Sequence, residues 1–343
     1  MTEQRRSRLS AEVDFERDGK QTGFVRLFHS VHRSAYGFIP IPIVVIRNGA
    51  GPTALFISGN HGDEYEGQVT LCNLAKSLQS SDIKGRVILL PMANFPAAQA
   101  GLRTSPIDRR NLNREFPGDP NGDVTQQIAY YISSTLLPMA DVVYDLHSGG
   151  SSLAHLPAVS MKRSPDKAFE KRAYAALQSL GAPLAYITEG AQGTGREETL
   201  GAQAAARGII ALGSELGGSG TVARPGLRIA ERAVRNLMVH MGILPESARI
   251  PADGPMRVTR VGGADYFVYA SEAGVWEPCV ELGDMVEAGQ LAARIHTPET
   301  PWAPPAEVHF ARDGLVLVRR LPARTVRGDC LFHLSTDAPD LFA

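Results

Sequence analysis

Three short segments carry side chains that could do chemistry together. SGNHGDEYEG contains His61 and Glu64, three residues apart; DLHSGG contains His147; SELGGSG contains Glu215. Two imidazoles and one carboxylate make the His₂Glu set that holds a catalytic zinc and leaves a fourth position for water. Such an ion acidifies water and polarises a carbonyl. A separate carboxylate must then take a proton from the water and pass it to the leaving group, and Glu215 suits that role. Asp145, two residues before His147, is placed to orient it, since ligand imidazoles usually donate their second N–H to a carboxylate or carbonyl. Each feature alone has a bland reading. An HxxE pair arises by chance, a histidine at a strand end is usually structural, and Glu215 could be an N-cap or a core ion-pair partner.

What favours chemistry is where the elements put these residues. Thr53–Ser58 (TALFIS) reads as a buried strand, and the His61 segment follows it directly. Asp141–Leu146 (DVVYDL) reads as a strand ending at His147, and Gly208–Ser214 (GIIALGS) as one ending at Glu215. Arg86–Pro91 and Leu184–Thr188 are further strands. Gln68–Leu78, Thr125–Met139, Asp166–Leu180, Thr199–Arg207 and Leu227–Met241 have helical spacing. Residues 38–47, with Pro40 and Pro42, read as an edge strand of a hairpin. Strands alternating with helices predict an α/β fold, a mostly parallel or mixed sheet flanked by helices. In open α/β sheets, ligands bind past the C-terminal strand ends, where all three segments lie.

Pro245, Pro251 and Pro255 mark a linker, and helical periodicity stops after it. The expected division is a hydrolase unit over 1–248, including an N-terminal β segment at about 20–48, and a small all-β domain over 249–343. The segment GDMVEAGQLAARI at Gly283–Ile295 resembles the turn-strand pattern of lipoyl- and biotinyl-type modules, which suggests a barrel-sandwich-like fold. Those modules attach their cofactor to a lysine, and none follows Lys171. The appendage is therefore expected to shape the pocket or support a homo-oligomer.

Composition narrows the partners. The 343 residues carry a formal net charge of −1, with no basic arm, so nucleic acid is excluded as a partner. No run of 18 apolar residues is present, which excludes a membrane-spanning helix. No apolar leader opens the sequence, and three separated cysteines suit a reducing compartment; the chain is expected in the cytoplasm. No GxSxG elbow appears, and the glycines at Gly193–Gly195 and Gly217–Gly220 lack the dinucleotide fingerprint, so both read as turns. The other histidines (His29, His32, His155, His240, His296, His309, His333) read as structural, with His155 alone considered for the pocket. The loop GLRTSPIDRRNLNREFPGDP sets Arg103, Arg109, Arg110 and Arg114 among asparagines. Guanidinium forks there suit a substrate carboxylate or a developing oxyanion.

Taken together, GNHGDE, the distant DLH, the NLNREFPG loop and the late SELGG resemble the succinylglutamate desuccinylase/aspartoacylase family, a branch of the zinc carboxypeptidase superfamily. The resemblance spans roughly residues 50–245, and the β appendage fits the family as well. It implies one Zn²⁺ per chain on His61, Glu64 and His147, with Glu215 as general acid/base. It further implies Asn113 and Arg114 on the substrate carboxylate, and Arg103 polarising the scissile carbonyl, with Arg109 or Arg110 as alternatives. A family tyrosine near the site has Tyr266 and Tyr269 as candidates. The implied substrate is a small N-acyl amino acid. HGDEYEGQ, RTSPIDRRNLNREFPG and ELGGSGTV look most like the branch that deacetylates N2-acetyl-L-2,4-diaminobutanoate in ectoine breakdown. Glu197, Glu198 or Asp108 would then meet the side-chain ammonium. Other acyl groups, or peptides cut by a carboxypeptidase, are the alternatives.

Overall fold

The computed structural model describes residues 7–189 and 198–342. Its framework is one long mixed sheet. Strand Thr53–Ser58 lies between Gly85–Leu90 and Val142–His147, parallel to both, and Ile210–Glu215 is parallel to Val142–His147. Beyond it, Ala158–Lys162 runs antiparallel to Ile210–Glu215, then Leu184–Thr188 and Arg257–Val261 continue in parallel. All six residues of TALFIS are buried, as a strand covered on both faces must be.

One face packs on helices Glu66–Ser77, Lys167–Ser179 and Arg224–His240, around Phe56, Tyr144, Leu177 and Leu237. The other packs Leu55, Ile57 and Val143 on helices Val124–Tyr131 and Leu200–Ala205. Local signals fix the helix starts. Asp166 accepts from Ala168 N and Phe169 N, Thr199 accepts from Ala202 N, and Asp123 with Gln126 forms a capping box.

The structure differs in detail from the sequence pattern at three places. Phe38–Asn48 is not an edge strand, because it pairs with Gly19–Phe28 along its length and with Gly85–Leu90 over residues 44–48. Its prolines, Pro40 and Pro42, sit in the half with a single neighbour, where a missing N–H costs no ladder bond. Ala158–Lys162 is a strand that was not expected; its polar-interrupted sequence hides the pattern. The helix beginning at Thr125 closes its last part as a π turn, Ile132–Leu136, and a 3₁₀ turn, Leu137–Met139.

The C-terminal residues are all β, yet they join the large sheet. Arg257–Val261 pairs with Leu184–Thr188 on one side and with Cys330–Asp337 on the other. A separate four-stranded sheet forms from Gly274–Pro278, Leu291–His296, Ala306–His309 and Arg324–Thr325. Trp276 of this sheet and Phe310 pack on Phe332 of Cys330–Asp337, in one apolar cluster.

One glycine in the packing of Arg224–His240 sets the course of the chain after Glu215. A Cβ on Gly226 would lie 1.8 Å from Leu216 O. Gly226→Ala should therefore destabilise by ~1–3 kcal/mol, in the range of overpacked sites. A melting curve equal to wild type would refute the close approach.

Candidate metal centre

The site is built at one edge of the sheet by three neighbouring strands. Glu215 pairs in register with His147, and Leu146 with Ser58, so the strand ends are flush. Gly59 then turns the chain at φ +66°, where a Cβ would come within 2.9 Å of Met92 Cα. That turn returns His61 and Glu64 across the strand ends before helix Glu66–Ser77 begins.

The structure brings His61, Glu64 and His147 together, all buried, with their ligand atoms within 4.8 Å of one another. His61 Nδ1 lies 2.6 Å from Glu64 Oε1, and His147 Nδ1 lies 2.8 Å from Glu64 Oε2. The opposite ring nitrogens face acceptors. His61 Nε2 meets Asn111 Oδ1 at 3.1 Å, and His147 Nε2 meets Asp145 Oδ2 at 2.8 Å. Asn111 Oδ1 also accepts from Asn113 N, which fixes the amide's orientation. Acceptors on both Nε2 atoms keep the hydrogens there and aim both Nδ1 lone pairs at one carboxylate. Lone pairs and carboxylate oxygens repel unless a proton or a cation lies between them, so this donor set fits a divalent metal ion.

The charges agree. Burial alone would raise the Glu64 carboxyl, but the two imidazoles bring it well below the usual range. Burial lowers His61, and Glu64 only partly offsets it. His147 is raised well above an ordinary histidine, because Asp145 and Glu64 outweigh its burial. The carboxylates around His147 thus favour positive charge at this place.

Glu215 stands beside this set. Its carboxyl makes no hydrogen bond or ion pair among the described residues, and burial together with the Glu64 charge pushes it well up. Such a carboxyl is poised to take and return a proton near neutral pH. Of the four loop arginines, Arg103 reaches the donors, with Nη1 3.6 Å from Glu64 Oε1 and 3.4 Å from His61 Nδ1. Arg110 is tied to Glu115 and Asp123, and Arg109 is exposed at φ +60°. Asn113 Nδ2 approaches His147 Nε2 at 3.4 Å while its Oδ1 accepts from Leu200 N; Arg114 donates to Asn113 O.

Other candidates are placed elsewhere. Asp108 accepts from Thr125 N and Oγ1 and holds a helix start. Tyr266 bonds Thr336 under Arg312, and Tyr269 is half exposed. His155 is buried against Leu156 O, its pKa lowered to about 4 by burial. Glu197 and the glycines Gly193–Gly195 lie outside the described residues. Asn111 is the partner the sequence reading missed; the only signal was its place two residues before Asn113.

Comparison with known proteins follows this geometry. Residues 50–241 match the family model of the succinylglutamate desuccinylase/aspartoacylase catalytic domain. The chain is 42% identical over 329 residues to the N-alpha-acetyl-L-2,4-diaminobutyric acid deacetylase of Halomonas elongata, covering 96% of this chain and 95% of that one. It resembles the product-bound structure of the ectoine utilization protein EutE (DoeB) from Ruegeria pomeroyi, with a TM-score of 0.91 at 38% identity, covering 97% and 100% of the two chains. A succinylglutamate desuccinylase/aspartoacylase structure from Rhodobacter sphaeroides gives the same TM-score, identity and coverage. No helix among the described residues is long and apolar enough to cross a membrane.

The raised His147 pKa has a measurable consequence. A cation must displace the His147 proton, so metal uptake should release protons and weaken as pH falls through the raised value. Calorimetry in buffers of different ionisation enthalpy checks the release. His147→Ala should abolish stoichiometric metal binding; retained metal in that variant would refute the donor set.

Proposed function

The chain belongs to the succinylglutamate desuccinylase/aspartoacylase family, and on that premise we propose that it deacetylates N2-acetyl-L-2,4-diaminobutanoate, giving L-2,4-diaminobutanoate and acetate. It is an amidohydrolase, and its substrate is a small molecule. The observation that carries the chemistry is the buried donor set with an unbonded carboxyl, Glu215, next to it. The likeness to the Halomonas elongata deacetylase along nearly the whole chain supports the substrate.

In this reading the ion is zinc, held by His61, Glu64 and His147, and when bound it supplies the Lewis acidity that polarises an amide carbonyl and acidifies water. Asp145 and Asn111 keep both imidazoles in the tautomer that can ligate. Glu215 removes a proton from the attacking water and returns it to the amide nitrogen as the C–N bond breaks. Arg103 donates to the carbonyl oxygen as negative charge builds there. Asn113 and Arg114 hold the α-carboxylate, so the scissile bond lies between Arg103 and Glu215. The β unit after residue 248 narrows the approach or supports a homo-oligomer. The chain's three free cysteines, Cys72, Cys279 and Cys330, suit the cytoplasm.

The test is release of free acid and amine from N2-acetyl-L-2,4-diaminobutanoate, N-acetylaspartate, N2-succinylglutamate and a blocked dipeptide, with zinc and with chelator. Chelator-sensitive turnover of the first is expected. Turnover of another acyl amino acid alone would overturn the substrate, and cleavage of the dipeptide alone would overturn the reaction. Glu215→Ala should keep zinc and lose ~10²–10⁴ of kcat; an unchanged rate would remove Glu215 from the proton path.

A further inference from the structure

The turn that carries Glu64 holds two more carboxylates, Asp63 and Glu66. Both are buried, at 4% and 0% exposure, and neither bonds His61 or His147. Three buried carboxylates within four residues repel one another, so their retention calls for partners, and those partners are specific. Asp63 Oδ2 accepts from Ser151 N at 2.8 Å and from Ser151 Oγ at 2.7 Å, in the loop after His147. Glu66 Oε1 accepts from Ala223 N at 3.0 Å, in the loop after Glu215.

Glycines make room for both contacts. A Cβ on Gly150, at φ +60°, would stand 2.7 Å from Asp63 Oδ2; one on Gly217, at φ +141°, would stand 3.0 Å from Glu66 Oε1. The two loops are also tied to each other, because Gly217 O accepts from Gly149 N and His155 N.

We propose that Asp63 and Glu66 are positioning residues, two struts from the Glu64 turn: Asp63 sets the His147 loop and Glu66 sets the Glu215 loop. The Glu66 half rests on the reading of Glu215 as proton carrier; the Asp63 half rests on the metal site alone. Through these struts, one turn fixes the distances from Glu64 to the second imidazole and to the base.

The test uses the full-length, zinc-loaded chain. Glu66→Ala should lower kcat ~10–100-fold, the usual effect of removing an outer partner of a metal site, with KM and zinc content unchanged. Glu66→Gln, which keeps an oxygen for Ala223 N–H, should recover most of the rate. Ala223→Pro removes that N–H while leaving the Glu66 carboxylate in place, at a residue whose φ of −88° lies near proline's range, and should reproduce the Glu66→Ala loss. Asp63→Ala should instead weaken zinc ~10–100-fold in chelator competition and leave kcat at saturating zinc near wild type.

The zinc measurement needs no substrate, so it stands even where the activity reading fails, and Glu215→Ala tests that reading separately. Wild-type kcat in both Glu66→Ala and Ala223→Pro would overturn the Glu66 strut. Unchanged zinc affinity in Asp63→Ala would overturn the other. Parallel losses of kcat, KM, zinc and melting temperature in every variant would reduce both residues to general stability. Where Glu66→Ala does not fold, Ala223→Pro decides.

Discussion

Two imidazole lone pairs can face one carboxylate at hydrogen-bond distance only if something positive stands between them. That constraint organises the molecule around Glu64. Asp145 and Asn111 act on the far nitrogens of His147 and His61, removing the freedom of either ring to turn its N–H toward Glu64. The arrangement is buried, so the electrostatic cost of leaving it uncompensated is high. The sheet meets the cost by rigidity: the two strands that end at His147 and Glu215 lie side by side in register, with apolar side chains filling both faces behind them.

The asymmetry of the surrounding charge follows from the same centre. Positive groups approach from the loop 101–120, with Arg103 nearest. Carboxylates lie on the side of the strands, with Asp145 behind His147 and Glu215 beside it. A neutral amide carrying a carboxylate would meet cations at one end and a proton acceptor at the other. The inner carboxylates Asp63 and Glu66 stand outside this gradient and act on backbone N–H groups instead.

Much of this was legible in residue types and spacing. Short apolar runs marked Thr53–Ser58, Val142–His147 and Ile210–Glu215, because strands covered on both faces need apolar residues at every position. The reactive residues fell at the ends of those runs, and one edge collected them. What stayed hidden depends on pairing across long stretches of chain. Pro40 and Pro42 suggested an edge, but only the partner strand's length shows where the edge begins. Ala158–Lys162 carries no strand signal of its own, because its neighbours, not its pattern, make it a strand. The link from Arg257–Val261 to Leu184–Thr188 could not be read from a composition change near residue 245. Asn111, Asp63 and Glu66 were visible as residues and silent as partners, since hydrogen bonds to a distant backbone leave no local periodicity.

The register between His147 and Glu215 sets terms for how such a protein can diversify. Side chains alternate faces along a strand. One residue inserted within Ile210–Glu215 would turn Glu215 to the opposite face of the sheet, away from His147. Strand lengths here are therefore closed to insertion and deletion, and within the loop 101–120 the positions of Arg103, Asn111 and Asn113 are closed as well, because their side chains meet the donor residues. Heritable change has an open channel only in the loop positions that touch none of the donors, such as the exposed Arg109, and the sheet holds the rest fixed.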